Sequence, residues 1–246
     1  MLYGLIGKQL SHSFSEKYFS AKFEKQKIKE VKYKNFPLEN INQILDLISK
    51  NTDLKGFNVT IPYKEQIIPF LDKLSSDAKK IGAVNTVKII KNENKSILKG
   101  YNTDIYGFEK SLIPNISEHH KQAIILGTGG ASKAVKFVLD KNKIKYIQVS
   151  RKKTNDYFIY NELDKEIFLS HQIIINTTPV GTFPEVNEFP QITYKYLNNN
   201  HLLYDLIYNP SETKFLYFGK KQGAKTINGL KMLELQAEKA WEIWNK

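Results

Sequence analysis

The sequence predicts an α/β fold with largely parallel sheets, and three observations support this prediction. Short runs rich in Val and Ile alternate along the chain with longer stretches in which apolar residues recur at helical spacing. A glycine-rich turn joins one of the short runs to a helical stretch. Hydrophobic residues make up 41% of the chain and charged residues 25%, which is typical of a globular protein with a packed core.

In the first part of the chain, the predicted strands span residues 2–6, 31–35, 56–61 and 84–90. Pro62 ends the third of these strands, because proline has no N–H group for a sheet hydrogen bond. A helix is predicted near residues 15–25, and Asp104 begins another. Helical spacing is also present in a third stretch, at Ile41, Ile44, Leu45 and Ile48.

In the remainder of the chain, the predicted strands span residues 123–126, 145–149, 173–176 and 202–206. Residues 133–139 are predicted to be helical. Gly229 precedes a final helix that carries Leu233, Ala237 and Trp241 on one face. The alternation of strands and helices is what favours parallel sheets with crossover helices.

Composition excludes several classes of protein. The absence of cysteine excludes a disulfide scaffold, an iron–sulfur cluster, a thiolate zinc site and a cysteine nucleophile. The histidines show no metal-ligand spacing, and no nucleophile-elbow motif is present, so no metal site is predicted. The N-terminus lacks a basic region, and no apolar run approaches the ~20 residues that span a membrane. We therefore expect a cytoplasmic protein without a membrane partner.

The net charge of +12 raises the possibility of a nucleic-acid partner. Arg151 is the only arginine, however, and the other basic residues are lysines spread along the chain. Because nucleic-acid readout favours arginine, a solvated lysine surface is the preferred interpretation. Such a surface would still attract anionic small molecules.

The glycine-rich turn has the features of a dinucleotide-binding loop. Gly127 allows a sharp turn after the strand, and Gly129 and Gly130 allow close approach of a pyrophosphate. The helix that follows Ser132 would direct its dipole at this anion. Ser132 departs from the pattern, which calls for a third glycine or alanine there. A turn that only connects two elements is the competing interpretation, but the flanking strand and helix favour nucleotide binding.

The next predicted strand is followed by Ser150, Arg151 and Lys152. An NAD-binding fold usually has a carboxylate near this position to hold the ribose, and none is present. A cation here suits the 2′-phosphate of NADP instead. An exposed surface arginine is the alternative interpretation of Arg151.

Polar residues at three other places suggest a second set of ligands. Lys64 follows the strand that ends at Pro62, Asn85 lies within an apolar strand, and Asp104 lies at a helix start. The carboxyl ends of strands face the ligand crevice of open α/β sheets, and a buried amide needs a partner. Taken alone, Lys64 is interpreted as a surface lysine and Asp104 as a helix cap.

Taken together, these motifs resemble the shikimate dehydrogenase family over essentially the whole chain. The matching segments follow in order at residues 11–13, 58–64, 82–86, 100–104, 127–132, 176–181, 205–210 and 228–233, with Gln236 after the last. Two departures stand out. After Ser13, Phe14 stands where the family usually has proline, and Lys17-Tyr18 replaces a histidine-asparagine pair. The nucleotide turn, usually asparagine-arginine-threonine, is Ser150-Arg151-Lys152 here, which keeps the arginine.

The resemblance implies that the protein reduces 3-dehydroshikimate to shikimate with NADPH, in chorismate and aromatic amino acid synthesis. It implies two domains: residues 1–104 for the substrate and residues 105–228, Rossmann-like, for NADP, with the helix of residues 229–246 returning to the first. Lys64 and Asp104 would form the catalytic pair. The other implied substrate ligands are Ser11, Ser13, Thr60, Asn85, Tyr208 and Gln236. The implied cofactor ligands are Gly127, Thr128, Gly129, Gly130, Ala131, Ser150, Arg151, Lys152, Leu206 and Gly229.

Three alternatives stay open at this point. A related enzyme could accept quinate or use NAD, although Arg151 argues against NAD. A catalytically idle NADP-binding regulator on the same fold is a second alternative, which the presence of Lys64 and Asp104 opposes. A basic nucleic-acid-binding protein is the third. We expect a monomer or a homodimer.

Overall fold

The computed structural model describes residues 1–10, 13–91 and 96–246. The chain divides into two compact units. The first contains Met1–Thr103 and Ala237–Lys246, and the second contains Asp104–Gln236. Which ligand each unit binds stays a prediction at this point.

Within the described residues, the first unit forms a six-stranded mixed sheet with the order β2-β1-β3-β5-β6-β4. The strands are β1 (Leu2–Gly7), β2 (Lys32–Pro37), β3 (Leu54–Val59), β4 (Lys73–Leu74), β5 (Thr86–Lys91) and β6 (Ser96–Tyr101). Its helices are α1 (Phe14–Lys25), α2 (Ile44–Lys50), α3 (Tyr63–Gln66) and α4 (Ser76–Ile81). Strand β1 is buried throughout and β3 almost throughout, as expected when helices cover both faces of the sheet.

Pairing is largely parallel, as predicted, and in this sheet β5 is the exception. Strand β1 pairs in parallel with β2 and β3, but β5 is antiparallel to both β3 and β6. The connection between Lys91 and Ser96 is too short for the crossover that two parallel strands require, which accounts for the antiparallel pairing of β5 with β6.

Within the described residues, the second unit forms a six-stranded, fully parallel sheet with the order β9-β8-β7-β10-β11-β12. Its strands are β7 (Gln122–Leu126), β8 (Lys145–Ser150), β9 (Phe158–Ile159), β10 (Ile173–Asn176), β11 (Leu202–Asp205) and β12 (Lys225–Ile227). Its helices are α5 (Asp104–Leu112), α6 (Gly130–Lys141), α7 (Lys165–Ser170) and α8 (Lys214–Lys221). This is the doubly wound order, with the direction of winding reversed between β7 and β10. The predicted α/β class with a Rossmann-like sheet is therefore confirmed.

The last helix, α9 (Leu230–Asn245), contributes residues to both units. Its C-terminal part belongs to the first unit, where Trp244 stacks on Tyr3 with ring centroids 4.8 Å apart. The indole Nε1 of Trp244 donates a hydrogen bond to the carbonyl of Val87 at 3.0 Å. A Cβ on Gly56 would overlap the Trp244 ring, so this strand position requires glycine. Among the described residues, no helix combines the length and apolar character needed to cross a membrane.

Several predicted boundaries differ from those observed, and three of these concern segments of the predicted site. Strand β3 ends at Val59, because a turn in which Tyr63 N–H donates to Thr60 O at 2.9 Å follows it. Strand β5 begins at Thr86, so Asn85 precedes the strand instead of lying within it. Helix α6 begins at Gly130, ahead of the predicted start.

Candidate active site

The glycine loop lies at the reversal point of the second sheet, after β7. Gly127 has a φ of +106°, a conformation that L side chains rarely adopt, and a Cβ there would lie 2.8 Å from Thr177 Oγ1. By contrast, a Cβ on Gly129 or Gly130 would meet nothing within 4 Å. Residues Thr128 to Ala131 are exposed, and Gly129 is the N-cap of α6. The loop thus offers open space and first-turn N–H groups to an anion.

Ser132, which departs from the dinucleotide pattern, is held by hydrogen bonds in the first turn of α6. It is 1% exposed, and its Oγ donates to Gly129 O at 2.7 Å. The Nε2 group of Gln148, on β8, donates to Ser132 Oγ at 3.1 Å and to Gly127 O at 2.8 Å. A serine is therefore accommodated where the pattern has glycine, because Gln148 and Gly129 satisfy its hydroxyl.

Ser150 is the last residue of β8, and Arg151 and Lys152 follow it with exposed side chains. Ser150 Oγ accepts a hydrogen bond from the backbone N–H of Lys152 at 3.1 Å, which shapes this turn. Strands β7 and β8 are parallel neighbours, so the turn and the glycine loop lie at the same edge of the sheet. The nearby carboxylate of Glu162 is paired with Lys153 at 2.6 Å. This edge therefore presents cations beside the glycine loop.

The loops after β10 and β11 meet around Asp205, which is fully buried. Its carboxylate accepts hydrogen bonds from Asn176 Nδ2 at 3.1 Å, from Ile207 N–H at 3.1 Å and from Thr213 Oγ1 at 2.6 Å. Burial raises the pKa of Asp205 to about 6, against the opposite effect of these hydrogen bonds.

Leu206 and Tyr208 lie within three residues after Asp205, and both are partly buried. Gly229 lies against the carbonyl of Leu206, where a Cβ would overlap the oxygen. Burial raises the pKa of the Tyr208 phenol, so it stays a neutral hydrogen-bonding group. Leu206, Tyr208 and Gly229 are thus held at the same end of the second unit.

In the first unit, the turn after β3 leads directly into α3, which carries Lys64. Thr60 and Lys64 are both partly buried. Tyr63 anchors α3, since its hydroxyl donates to Leu38 O at 2.6 Å, and the carbonyl of Lys64 accepts from Val84 N–H at 2.7 Å. The backbone of Lys64 is therefore fixed on both sides.

Ser13 and Asn85 complete the part of the predicted site that belongs to the first unit. Ser13 Oγ is buried, and no hydrogen-bond partner for it is found among the described residues. Ser11 lies outside the described residues. Asn85 is 3% exposed, and its Oδ1 accepts from Thr103 N–H at 2.7 Å.

Asp104 and Gln236 belong to the second unit, on α5 and α9. Gly107 of α5 lets the α9 backbone approach closely, since a Cβ there would overlap Met232 O and lie 3.1 Å from Gln236 Cβ. Gln236 is 8% exposed, and its Nε2 donates to Leu233 O at 3.0 Å. Lys64 and Asp104 belong to different units, so their pairing stays a prediction.

The sequence did not identify Gln148, Asn58 or Asp205 as residues whose hydrogen bonds hold separate segments of the predicted site together. Each is a polar residue within or at the end of a buried strand, and each makes hydrogen bonds to residues distant in the sequence. A polar residue inside an apolar run is the signal that could have identified them, because such a residue must find a partner.

Comparison with known proteins identifies the family. A family model described as the shikimate dehydrogenase substrate binding domain matches residues 5–87. The shikimate dehydrogenase (NADP(+)) of Clostridium beijerinckii is 44% identical, covering 99% of this chain and 92% of its own length. A chorismate mutase/shikimate 5-dehydrogenase fusion protein from Clostridium acetobutylicum has a similar structure, with a TM-score of 0.86 and 36% identity over 99% of this chain and 90% of that one. Shikimate 5-dehydrogenase from Thermus thermophilus, solved with NADP(H) and shikimate, gives a TM-score of 0.84 at 27% identity, covering 99% of this chain and 93% of its own. The chain belongs to the shikimate dehydrogenase family.

Proposed function

We propose that this protein catalyses the reversible, NADPH-dependent reduction of 3-dehydroshikimate to shikimate, a step toward chorismate and the aromatic amino acids. The observation that carries the proposal is the exposed loop of Gly127–Ala131 at the reversal point of a doubly wound sheet, with Arg151 after the next strand. Relatives named shikimate dehydrogenase (NADP(+)), which match nearly the whole chain, support the choice of substrate and cofactor.

The second unit has a surface that fits NADP. Gly127, Thr128, Gly129, Gly130 and Ala131 would hold the diphosphate, because open space and first-turn N–H groups meet there. Ser150, Arg151 and Lys152 would hold the 2′-phosphate. Leu206 and Gly229 would line the nicotinamide end. When bound, NADPH supplies the hydride that reduces the ketone carbon.

The substrate is a carboxylate that carries ring hydroxyls, and the proposed ligands suit both groups. Ser11, Ser13 and Tyr208 would donate hydrogen bonds to the carboxylate. The support for Ser13 is its buried hydroxyl, for which the described residues provide no partner. The ring hydroxyls would be bound by Thr60, Asn85, Asp104 and Gln236.

Reduction of the ketone also needs a proton at the carbonyl oxygen. The ammonium group of Lys64 would donate this proton, and its fixed backbone limits the positions that Nζ can reach. Asp104 would orient Lys64 and accept a hydrogen bond from a substrate hydroxyl. In the direction of shikimate oxidation, Lys64 would take the proton back.

Replacement of Lys64 tests this assignment. We expect Lys64→Met to lower kcat by about 10²–10⁴-fold and to leave the Kd for NADPH unchanged, because the variant loses a proton donor and not a cofactor ligand. Lys79→Met on α4, where the lysine is exposed, is the matched control and should keep full activity. A near-normal kcat for Lys64→Met would remove Lys64 from the mechanism.

The same measurements separate the alternatives. An idle NADP-binding regulator would bind NADPH without turnover in the unaltered protein. An enzyme that prefers quinate would oxidise quinate with a higher kcat/KM than shikimate. We also propose a cytoplasmic location and a monomeric or homodimeric state, neither of which the proposed reaction depends on.

A further inference from the structure

A network of five buried polar side chains lies behind Asn85 in the first unit. Tyr33, Asn58, Asn85, Thr86 and Thr103 are each 5% exposed or less. Tyr33 OH is 2.8 Å from Asn58 Oδ1, and Asn58 Nδ2 is 3.0 Å from Thr86 Oγ1. Thr86 Oγ1 is in turn 3.1 Å from Asn85 Oδ1 and 3.2 Å from Thr103 Oγ1. The polar groups thus form a continuous chain that ends at Asn85.

Backbone groups fix the orientation of both amides in this network. The N–H group of Thr103 can only donate, so the Asn85 atom that it meets at 2.7 Å must be the oxygen. The carbonyl of Asn85 can only accept, so the Asn58 atom at 3.2 Å from it must be the nitrogen. Asn58 Oδ1 therefore faces Tyr33, whose hydroxyl must donate. Burial raises the pKa of Tyr33, which keeps this donor protonated.

The hydrogen bonds of Thr86 and Thr103 converge on Asn85 Oδ1. This oxygen accepts from the backbone of Thr103, and the hydroxyls of Thr86 and Thr103 both lie 3.1 Å from it. The Nδ2 group of Asn85 is then the only part of the amide left to contact a ligand, and it can only donate. Donors on Oδ1 also polarise the amide and strengthen the N–H groups as donors.

We infer that Thr86 is a positioning residue for substrate recognition: its hydroxyl, held by Asn58, fixes Asn85 so that the amide donates to a ring hydroxyl of the substrate. This inference rests on the proposed function of Asn85. A substrate hydroxyl that accepts from Asn85 still has its own proton to donate to another acceptor. The same network joins three segments of the proposed site, because Asn58 precedes Thr60 on the chain and Thr103 precedes Asp104.

Thr86→Val tests the inference because it removes the hydroxyl and preserves the shape of the side chain. We expect the KM for shikimate, and the Kd measured with the NADP-bound enzyme, to rise about 3- to 10-fold, as for the loss of one hydrogen bond. The Kd for NADP should not change. Thr86→Ser keeps the hydroxyl and should restore shikimate binding to within about 2-fold of the unaltered enzyme.

A double-mutant cycle distinguishes positioning from general stabilisation. If Thr86 acts through Asn85, Thr86→Val weakens shikimate binding in the unaltered enzyme and adds nothing to Asn85→Ala. An equal effect in both backgrounds, or no effect in either, would overturn the inference. If Asn85→Ala alone left shikimate binding unchanged, the proposed substrate role of Asn85 would fail, and the inference with it. Should Thr86→Val not fold, Thr103→Val removes the other hydroxyl on Oδ1 and is expected to give the same pattern.

Discussion

At the scale of single residues, Asp205 has a pKa far from the usual range of a carboxyl group. It lies fully buried at the end of β11 and accepts hydrogen bonds from three segments of the second unit. Burial raises its pKa from 3.8 to about 6, so it is ionised at neutral pH at a cost in stability. The hydrogen bonds to Asp205 fix the chain just before Leu206 and Tyr208, which are two of the proposed ligands.

This pKa predicts how stability depends on pH. Between pH values of about 4 and 6, the folded state binds more protons at Asp205 than the unfolded chain does. The stability that this group contributes is therefore complete below the unfolded pKa and is lost as the pH rises through about 6. The loss is at most about 3 kcal/mol.

Comparing the pH dependence of the unaltered protein with that of Asp205→Asn isolates this contribution. The buried histidines are present in both proteins, so their effect on stability cancels in the comparison. We expect the urea midpoint of the unaltered protein, relative to that of the variant, to fall between about pH 4 and pH 6 and to level off above. A difference that stays constant over this range would contradict the raised pKa.

For single residues, the sequence predicted which residues belong to a binding loop better than it predicted which partners the buried polar residues contact. Gly127, Gly129 and Gly130 could be identified because glycine turns have a recognisable local pattern. The settings of Asp205, Asn58 and Gln148 could not be predicted, since their partners lie in distant segments of the chain. Only the fold brings those partners together.

At the scale of elements, the start of α6 shows how two strands and a helix shape one binding loop. Gln148 of β8 donates to Gly127 O, which follows β7, and to Ser132 Oγ in the first turn of α6. The sequence predicted a helix start at residue 133, whereas α6 begins at Gly130. The prediction missed the first turn because its glycine, alanine and serine residues show no apolar periodicity. Strands β4, β9 and β12 were not predicted, because two or three residues are too few to show an alternation.

Gln148→Leu should weaken NADP binding. The substitution keeps the approximate size of the side chain and leaves Gly127 O and Ser132 Oγ without their donor, so the loop loses its fixed shape. We expect the Kd for NADP to rise about 3- to 10-fold, with the KM for shikimate unchanged at saturating NADP. Gln122→Leu, at the opposite end of the neighbouring strand β7, is the matched control. An unchanged Kd for NADP in Gln148→Leu would show that the loop does not depend on this contact.

At the scale of the whole molecule, the C-terminal part of α9 completes the core of the first unit. Trp244 contacts Tyr3, Gly56 and Val87, which lie on three strands of the sheet. Lys22 of α1 forms an ion pair with Glu238 at 2.6 Å on the same helix. The alternation of strands and helices predicted the α/β class, but the packing of α9 followed only from the resemblance, since no local pattern shows which sheet a terminal helix will cover.

Trp244→Ala should destabilise the first unit by about 3–5 kcal/mol, as expected when a buried tryptophan leaves a cavity. Trp244→Phe keeps an aromatic ring and loses the bond to Val87 O, so a smaller loss of about 1–3 kcal/mol is expected. Trp241 remains the only tryptophan in both variants, so its fluorescence during urea unfolding follows this unit. A loss below about 1 kcal/mol for the alanine variant would contradict the role of Trp244 in this core.

The most direct test of the central claim is the initial rate of NADP reduction by the purified protein with shikimate, followed by the absorbance of NADPH. Parallel assays replace shikimate by quinate and NADP by NAD, at one ionic strength, because screening alters phosphate contacts. We predict turnover with shikimate and NADP, a lower kcat/KM with quinate, and a lower kcat/KM with NAD because NAD offers Arg151 no 2′-phosphate. The absence of NADP reduction with shikimate, or a kcat/KM for NAD equal to that for NADP, would contradict the account.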